Sequence, residues 1–264
     1  MIARPLGDTG INVSALGLGL VKIGRNQGID DPNYADHFKL PDDKTVKQLL
    51  AKAAELGINL LDTAPAYGTS EQRLGDLFRT QIRERRSHWV LCSKAGEEFS
   101  DGESRFDFTA SAMTASVERS LRRLGTDYLD VVLVHSNGED EQLLEQYRPL
   151  QTLAKLRDQG KIRAIGFSGK SLKGGRLALT QGAQVLMVTL NSNQREELPL
   201  LSEAHAAGCG ILIKKAMARG YGKAADLSAT ATLTGVSSII SGTLNPTHLA
   251  ANARIVREAL VAAR

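Results

Sequence analysis

The sequence predicts an α/β fold, a (β/α)8 TIM barrel, in which eight parallel strands alternate with eight helices. Apolar strand-like runs alternate with segments of helical period from Ala15 to the C-terminus. Glycine stands between a helical segment and the next strand five times, where it suits a helix end. The length of 264 residues matches the roughly 250 that one such barrel needs. We therefore expect a single domain over residues 1–264.

The predicted strands are apolar runs of four to eight residues, the usual length of a buried strand. They are Ala15–Leu20, Asn59–Asp62, Trp89–Lys94, Tyr128–His135, Ala164–Ser168, Val185–Leu190, Gly210–Lys215 and Ser237–Ser241. In a parallel barrel the C-terminal ends of the strands surround the active site. Polar residues that close these runs are therefore the first candidates for function.

The predicted helices lie between these strands and after the last one. They are Thr45–Leu56, Ser70–Phe78, Thr109–Leu124, Leu143–Gln159, Leu172–Gln181, Leu198–Ala207, Leu227–Leu233 and Pro246–Ala263. Glycines mark five helix ends, and two cap patterns mark helix starts: Gly57, Gly125, Gly160, Gly182 and Gly208, then Thr69 with Gln72 and Asn245 with Pro246. An open, doubly wound sheet is the alternative architecture, but the chain lacks a G-x-G-x-x-G turn.

The composition predicts a soluble chain with a sizeable core, since 42% of the residues are hydrophobic and 23% are charged. Apolar runs such as Val131–Val134 fall far short of the roughly 20 residues that span a membrane. Residues 1–10 carry charges where a secretory signal would be apolar. Cys92 and Cys209 each lie in a predicted strand, which favours buried thiols over a disulfide. We expect a cytoplasmic protein without a membrane partner.

The charge pattern argues against a nucleic-acid partner. A net charge of +4 arises from 33 basic and 29 acidic residues. The densest basic cluster, Arg83, Arg85 and Arg86, is interrupted by Glu84, which is typical of a solvated helix end. Aromatic residues make up only 5% of the chain, whereas nucleic-acid surfaces combine basic and aromatic side chains. No heptad or long apolar stripe indicates an oligomeric state.

The segment Lys22–Pro41 is a long irregular connection after the first predicted strand. Loops of this length in compact domains are often functional. We expect it to cover the mouth of the barrel. A merely tolerated insertion is the equally weighted alternative.

Four polar residues at strand ends are the candidate catalytic group. Asp62, Lys94 and His135 each close a predicted strand, and Tyr67 lies five residues after Asp62. Each has a structural alternative when taken singly: a turn residue, a packed aromatic ring, a surface lysine or a rim histidine. Together they would place a carboxylate, a phenol, an amine and an imidazole at one mouth, and such mixed ionisable clusters are usually sites.

This set of groups suits the reduction of a carbonyl compound. The reaction needs a hydride from a cofactor and a proton for the developing oxyanion. Tyr67 could donate the proton, and the cation of Lys94 would lower the pKa of that phenol toward working pH. Asp62 would keep Lys94 charged and oriented, while His135 would bind the substrate oxygen.

At these residues the chain resembles an aldo-keto reductase. The similar motifs are Asp62-Thr63-Ala64, Tyr67-Gly68, Ser70-Glu71, Leu74-Gly75, Ser93-Lys94, Ser116–Leu121, Leu124–Asp130 with His135, and Gly160–Gly166. The resemblance covers nearly the whole chain. It implies a (β/α)8 barrel, a nicotinamide cofactor that is usually NADP(H), and a catalytic set at Asp62, Tyr67, Lys94 and His135.

The chain departs from the family pattern in the expected cofactor groove. The family usually has Ser-Asn where this chain has Ser168-Gly169, a glutamine near Met187, and a stacking aromatic residue where Lys214 stands. Lys214 and Lys215, with Arg219, would instead meet the pyrophosphate as charges. A solvated basic loop is the alternative interpretation.

The region after the last predicted strand also departs from the family. A basic residue for the 2′-phosphate is common there, whereas this chain has Gly242-Thr243, and His248 stands where an arginine is usual. Thr243 and Asn252 remain as polar contacts, and backbone N–H groups at the helix start could bind phosphate. We expect NADP(H), with NAD(H) as the alternative. We also expect the chain to be without the longer C-terminal tail that helps many members of this family to shape the substrate pocket.

Three functions are compatible with these residues. The first is NAD(P)H-dependent reduction of an aldehyde or ketone with Tyr67 as general acid. The second is a cofactor-binding regulatory or sensor barrel with little turnover, suggested by Gly169, Met187 and Lys214. The third is a lyase that forms an imine on Lys94. The expected partner is a small-molecule carbonyl compound, and the sequence predicts neither its identity nor the direction of the reaction.

Overall fold

Eight parallel strands close into a barrel, as the sequence predicts. The computed structural model of the protein describes residues 1–28, 38–218 and 223–263, with only the backbone of 81–85. The barrel strands, in chain order, are β3 (Leu16–Gly19), β4 (Leu60–Asp62), β5 (Val90–Ala95), β8 (Leu129–His135), β9 (Ile162–Ser168), β10 (Val185–Thr189), β11 (Gly210–Lys214) and β12 (Val236–Ser241). Each strand pairs with its neighbours in this order, and β12 pairs with β3 to close the ring.

Helices surround the barrel and follow the predicted segments closely. They are α1 (Val21–Gly24), α2 (Asp43–Glu55), α3 (Ser70–Leu77), α4 (Ala110–Leu124), α5 (Asp140–Tyr147), α6 (Pro149–Asp158), α7 (Leu172–Thr180), α8 (Leu200–Ala206), α9 (Ala224–Ala231) and α10 (Pro246–Ala262). Short turns of other helix types cover Pro65–Tyr67, Phe78–Ile82 and Arg83–His88. Gly125 ends α4 in the left-handed conformation, as expected.

One predicted helix is wrong. The segment Leu143–Gln159 forms two helices, α5 and α6, rather than one. Arg148 between them has a left-handed backbone with φ 47°. Pro149 follows it, and proline removes a helix hydrogen bond and disfavours helical geometry in the residue before it. The apolar period continues across the break, so the sequence pattern concealed it.

The barrel has two separate apolar layers. Along β8, Val131 and Leu133 belong to the cluster inside the barrel, whereas Val132 and Val134 belong to the layer between strands and helices. Successive side chains of a strand point to opposite faces, so both faces of this strand are buried. This double burial explains why the barrel strands appear in the sequence as continuous apolar runs.

Two hairpins were not predicted from the sequence. The first joins β1 (Ala3–Pro5) to β2 (Asn12–Ser14), and Leu6 and Ile11 between these strands pack into the cluster inside the barrel. The second joins β6 (Glu97–Ser100) to β7 (Glu103–Phe106) directly after β5. Their strands have only three or four residues and mix polar with apolar side chains, so they give no clear apolar run.

The long connection Lys22–Pro41 is described at its two ends, while residues 29–37 lie outside the described part of the chain. The Arg73 guanidinium donates to the carbonyl oxygens of Ile23 and Pro41, so one side chain of α3 holds both ends. Arg25 donates to the carbonyl oxygen of Ala66 at 2.8 Å. The first of these ends therefore contacts the turn that carries Tyr67, next to the mouth of the barrel.

Two further expectations concern the cysteines and the membrane. Cys92 and Cys209 are both free and buried, which confirms the prediction for the thiols. Among the helices of the described residues, none has the length and apolar character needed to cross a membrane.

Replacement of Gly75 by alanine tests the packing of α3 against α4. A β-carbon at Gly75 would lie 1.9 Å from the carbonyl oxygen of Arg123 at the end of α4. Helix propensity alone favours alanine by about 1 kcal/mol. We expect the clash to outweigh propensity and to lower the free energy of unfolding by about 1–3 kcal/mol in denaturant titrations.

The exposed Gln72 on the same helix provides the control. Gln72→Ala should change the free energy of unfolding by less than about 0.5 kcal/mol. A Gly75→Ala protein more stable than the parent would contradict the close helix contact.

Candidate active site

The four predicted catalytic side chains meet at the C-terminal mouth of the barrel. Asp62, Lys94 and His135 lie at the ends of β4, β5 and β8, which are neighbours in the barrel. Tyr67 ends the short 3-10 turn that follows β4. Because parallel neighbouring strands end on the same side, the three strand-end residues face one region, and the turn adds the phenol to it.

Lys94 is the centre of this group. Its side chain is 1% exposed, and its ammonium donates to Asp62 Oδ1 at 2.6 Å, to the Thr63 carbonyl oxygen at 3.0 Å and to Tyr67 Oη at 3.0 Å. Tyr67 Oη in turn donates to Asp62 Oδ2 at 3.4 Å. The three ammonium protons are thus directed to three fixed acceptors, and one of these is the phenol.

The charge state of Lys94 is set by its carboxylate partner. Burial by itself lowers the pKa of this lysine, because it disfavours the cation. The charge of Asp62, with a smaller contribution from Tyr67, outweighs burial and raises the pKa above its ordinary value. Lys94 is therefore an ammonium throughout the working pH range and a permanent cation beside the phenol.

His135 stands beside Tyr67 on the other side of the group. The two rings meet edge to face, with centroids 6.3 Å apart. Burial lowers the pKa of His135, and the charges of Lys94 and Lys214 lower it further, against the opposing effect of Glu97. The imidazole is therefore neutral at neutral pH.

Glu97 is a site residue that sequence reasoning missed. It lies on β6, and its Oε2 is 2.9 Å from Nδ1 of His135, although no well-aligned hydrogen bond joins the two atoms in this structure. Burial would raise the pKa of Glu97, but His135, Ser104 and Arg25 together lower it to about 2. Glu97 is thus a carboxylate directed at the imidazole.

A glycine turn brings Glu97 to this position. Gly96 has φ +107°, and a β-carbon there would lie 2.5 Å from the ring of Phe108. The sequence Lys94-Ala95-Gly96-Glu97 contains the only hint of the turn, a glycine and an acidic residue directly after a strand end. Without a predicted hairpin, that hint did not place the carboxylate over His135.

The candidate cofactor residues Ser168 and Lys214 contact each other. Lys214 Nζ donates to Ser168 Oγ at 3.0 Å and to the carbonyl oxygen of Gly169 at 2.7 Å. Burial lowers the pKa of Lys214 to about 8, against the opposing charge of Glu197. Among the contacts of the described residues, two of its three ammonium protons have acceptors. The third proton is left for a ligand.

The departures at Gly169 and Met187 have packing reasons. A β-carbon at Gly169 would lie 2.5 Å from the ring of Phe167 and 3.0 Å from Asp140 Oδ2. The asparagine usual in the family would therefore collide with neighbours in this chain. Met187 is buried in the cluster inside the barrel and offers no polar group to a groove.

The other candidate cofactor residues that the structure describes lie around the ends of β11 and β12. Lys215 is exposed, with φ +59°, whereas Arg219 lies outside the described residues. Gly242 and Thr243 follow β12, and Asn252 Nδ2 donates to Ser241 Oγ at 3.1 Å. Ser241 was not among the predicted site residues.

The start of α10 is already capped by the chain itself. Asn245 Oδ1 accepts from the backbone N–H of Thr247 at 2.8 Å and of His248 at 3.4 Å. The N–H of Asn245 donates to Thr243 Oγ1 at 3.1 Å. Phosphate binding by these backbone groups, which we expected from the sequence, would require the Asn245 cap and the Thr243 contact to open.

The closed parallel barrel, with its strand-end carboxylate, lysine and imidazole beside a phenol, defines the class of the protein as an oxidoreductase barrel. The family model described as "Aldo/keto reductase family" matches residues 15–226. The chain belongs to the aldo-keto reductase family.

Curated relatives from several organisms support the same family. The chain is 34% identical over 173 residues to an L-galactose dehydrogenase of Arabidopsis thaliana, a match that covers 64% of this chain and 49% of that protein. It is 32% identical over 226 residues to an aldo-keto reductase of Mycobacterium sp. (strain KMS), covering 83% and 74%. It is 31% identical over 171 residues to an NADH-specific methylglyoxal reductase of Escherichia coli (strain K12), covering 61% and 50%. The alignments span about half the length of most of these relatives.

Solved structures share the fold. A proposed aldo-keto reductase from Pseudomonas aeruginosa is 49% identical with a TM-score of 0.88, and the match covers 98% of this chain and 95% of that one. An aldo-keto reductase from Bacillus halodurans in its holo form has a TM-score of 0.77 at 22% identity, covering 97% and 91%. The second likeness concerns the fold alone.

Removal of Lys94 tests the buried ion pair. Lys94→Met leaves the Asp62 carboxylate, whose side chain is only 4% exposed, without its cation. We expect the free energy of unfolding to fall by about 3–5 kcal/mol, because an unpaired buried charge is strongly destabilising. Denaturant titration of the purified protein measures this loss.

The double variant Asp62→Leu with Lys94→Met separates charge from packing. We expect it to recover most of the stability that the single variant loses, since both charges are gone. A double variant that loses at least as much stability as Lys94→Met alone would contradict this explanation.

Proposed function

We propose that the protein reduces an aldehyde or ketone to an alcohol with NAD(P)H, and that Tyr67 is the general acid. The observation that carries this proposal is the 3.0 Å contact between Tyr67 Oη and the buried ammonium of Lys94. A phenol has an ordinary pKa of about 10, too high for efficient proton donation near neutral pH. A permanent cation at this distance stabilises the phenolate and makes the proton easier to release.

The reduction adds a hydride to the carbonyl carbon and a proton to its oxygen. The nicotinamide, when bound, supplies the hydride. Tyr67 transfers its hydroxyl proton to the oxygen as negative charge develops there, and the resulting phenolate is paired with Lys94. His135, when its ring is protonated, orients the carbonyl oxygen toward Tyr67, and Asp62 keeps the ammonium in place.

The residues around Lys214 fit an anionic dinucleotide. Lys214 is a partly buried cation at the end of β11 with one ammonium proton still directed to no acceptor among the described residues. Ser168, Gly242, Thr243 and Asn252 offer polar groups on either side of it. We propose that these residues hold the cofactor, with Lys215 and Arg219 as further cations, and that the cofactor is NADP(H).

The activities for which relatives are named suggest the class of substrate. Three relatives are named for acting on L-galactose, methylglyoxal or D-threo-aldoses. All of these are small carbonyl or sugar compounds. We propose a small-molecule carbonyl substrate for this chain, without a nucleic-acid or membrane partner, in the cytoplasm and within a single domain over residues 1–264. An imine on Lys94 is disfavoured, because imine formation needs a neutral amine and Asp62 keeps this one charged.

Replacement of Tyr67 by phenylalanine tests the general acid. Tyr67→Phe removes one oxygen and should lower kcat for aldehyde reduction at least about 100-fold, while the Kd for NADPH changes little. Steady-state kinetics and a fluorescence titration measure the two quantities. A Tyr67→Phe protein with unaltered turnover would end the proposed role.

The exposed Tyr147 on α5 provides the matched control, since Tyr147→Phe removes the same hydroxyl from a ring that packs on Phe108 and that makes no contact with Lys94 among the described residues. This variant should retain the kinetics of the parent. Multiple turnovers of a simple aldehyde by the parent would in turn exclude the alternative of a regulatory barrel with little catalysis.

Cofactor titrations test the groove. NADPH should bind more tightly than NADH, and Lys214→Met should weaken NADPH binding about 10-fold or more, because a charge-assisted hydrogen bond is lost. Lys155→Met, on the outer helix α6, is the control and should leave the Kd unchanged. Equal or tighter binding of NADH would overturn the proposed NADP(H) preference.

A further inference from the structure

Glu97 is fixed by contacts on one of its two carboxylate oxygens. Oε1 accepts from Ser104 Oγ at 2.7 Å and lies 3.7 Å from the Arg25 guanidinium. Arg25 is itself anchored, since it donates to the carbonyl oxygens of Ala66, Gln27 and Gly28 and lies over the ring of Phe99 at 3.7 Å. The other oxygen, Oε2, is thereby presented to Nδ1 of His135 at 2.9 Å.

The nitrogen that faces Glu97 is enclosed. Nδ1 of His135 is inaccessible to solvent, whereas the side chain as a whole is 19% exposed. A neutral imidazole has one N–H donor and one acceptor nitrogen. A carboxylate is an acceptor only, and its negative charge, 2.9 Å away in a buried place, favours a proton on Nδ1 over a lone pair there.

We propose that Glu97 is a positioning residue that keeps a proton on Nδ1 of His135 in every charge state of the ring. The carboxylate stabilises the Nδ1–H form by an electrostatic contact that the Arg25 and Ser104 contacts keep in register. In the neutral ring the second nitrogen, Nε2, is therefore the acceptor.

This proton placement has a consequence for the reaction, and that consequence rests on the proposed function. A carbonyl oxygen is an acceptor, so Nε2 can donate to it only when the ring is an imidazolium. The alcohol product carries a hydroxyl, which can donate to Nε2 of the neutral ring. His135 therefore contacts the carbonyl and alcohol forms of the substrate in different protonation states.

The groups that face His135 determine when each state is populated. Glu97 from β6 favours the imidazolium, whereas Lys94 from β5, Lys214 from β11 and burial favour the neutral ring. Tyr67 adds an uncharged ring edge at 6.3 Å. The neutral state gains as pH rises through the pKa of His135, which lies below the ordinary value of 6.5.

Nitrogen-15 NMR of the ring-labelled, full-length parent protein tests the proton position without any activity. A ring nitrogen shifts strongly when it loses its proton, and the His135→Asn variant assigns the two signals of His135 among the five histidines. We expect Nδ1 to stay protonated and Nε2 to lose its proton as pH rises. A neutral ring with its proton on Nε2 would overturn the proposal.

Two matched glutamines test whether Glu97 is the cause. In Glu97→Gln, the single proton of the neutral His135 ring should be able to move to Nε2. The pH at which His135 titrates should fall by about 1 unit or more. Glu98→Gln removes the same charge from the next residue, whose carboxylate pairs with Arg119 and Arg123 instead. It should leave the His135 signals unchanged.

The outcomes separate this inference from the proposed function. An Nδ1 proton that persists in Glu97→Gln, or an equal effect of Glu98→Gln, would show that Glu97 does not fix the proton. Glu97→Asp, which retains the charge, should restore most of the parent pattern and guards against misfolding of the glutamine variant. Failure of Tyr67 as acid would instead appear in turnover and leave these NMR signals as they are.

Discussion

The buried ion pair between Lys94 and Asp62 is the constraint on which the rest of the site depends. It joins the ends of two neighbouring strands and fixes the phenol of Tyr67 through the same ammonium. A charge in such a place is costly unless it is paired and hydrogen-bonded, and here the carboxylate and a backbone carbonyl meet that requirement. The barrel therefore keeps the Lys94 cation, which is almost fully buried, beside the Tyr67 hydroxyl. In such a place, away from water, the charge has a large effect on how easily the hydroxyl releases its proton.

The barrel and this cluster could be predicted because the order of strands along the chain determines which strand ends are neighbours in a parallel barrel. Strands buried on both faces appear as apolar runs, and parallel strands end on one side, so Asp62, Lys94 and His135 had to meet once the runs were recognised. The contacts themselves required coordinates. No pattern in the sequence predicts that Lys94 lies 2.6 Å from Asp62, or that its ammonium donates to three acceptors at once.

The parts that escaped prediction lack periodicity or depend on distant neighbours. The hairpin with Glu97 has short polar strands, and its role depends on a glycine turn packed under Phe108. The break at Arg148 lies within an unbroken apolar period. The loss of the family's asparagine at Gly169 follows from Phe167 and Asp140, which only the fold brings near. The charge of Lys214 could be read from the sequence. Its hydrogen bond to Ser168 could not, because the two residues lie on strands that are two places apart in the barrel.

Arg25 bears on how such barrels diverge. One guanidinium contacts the first connection, the turn before Tyr67 and the hairpin that carries Glu97. Loops of barrel enzymes are commonly exchanged one at a time to change specificity, because the scaffold tolerates variation there. In this chain, transplanting the hairpin alone into another barrel would separate its carboxylate from the arginine beside it. The first connection, which carries Arg25, and the hairpin, which carries Glu97, therefore depend on each other. They should be grafted, deleted or varied together.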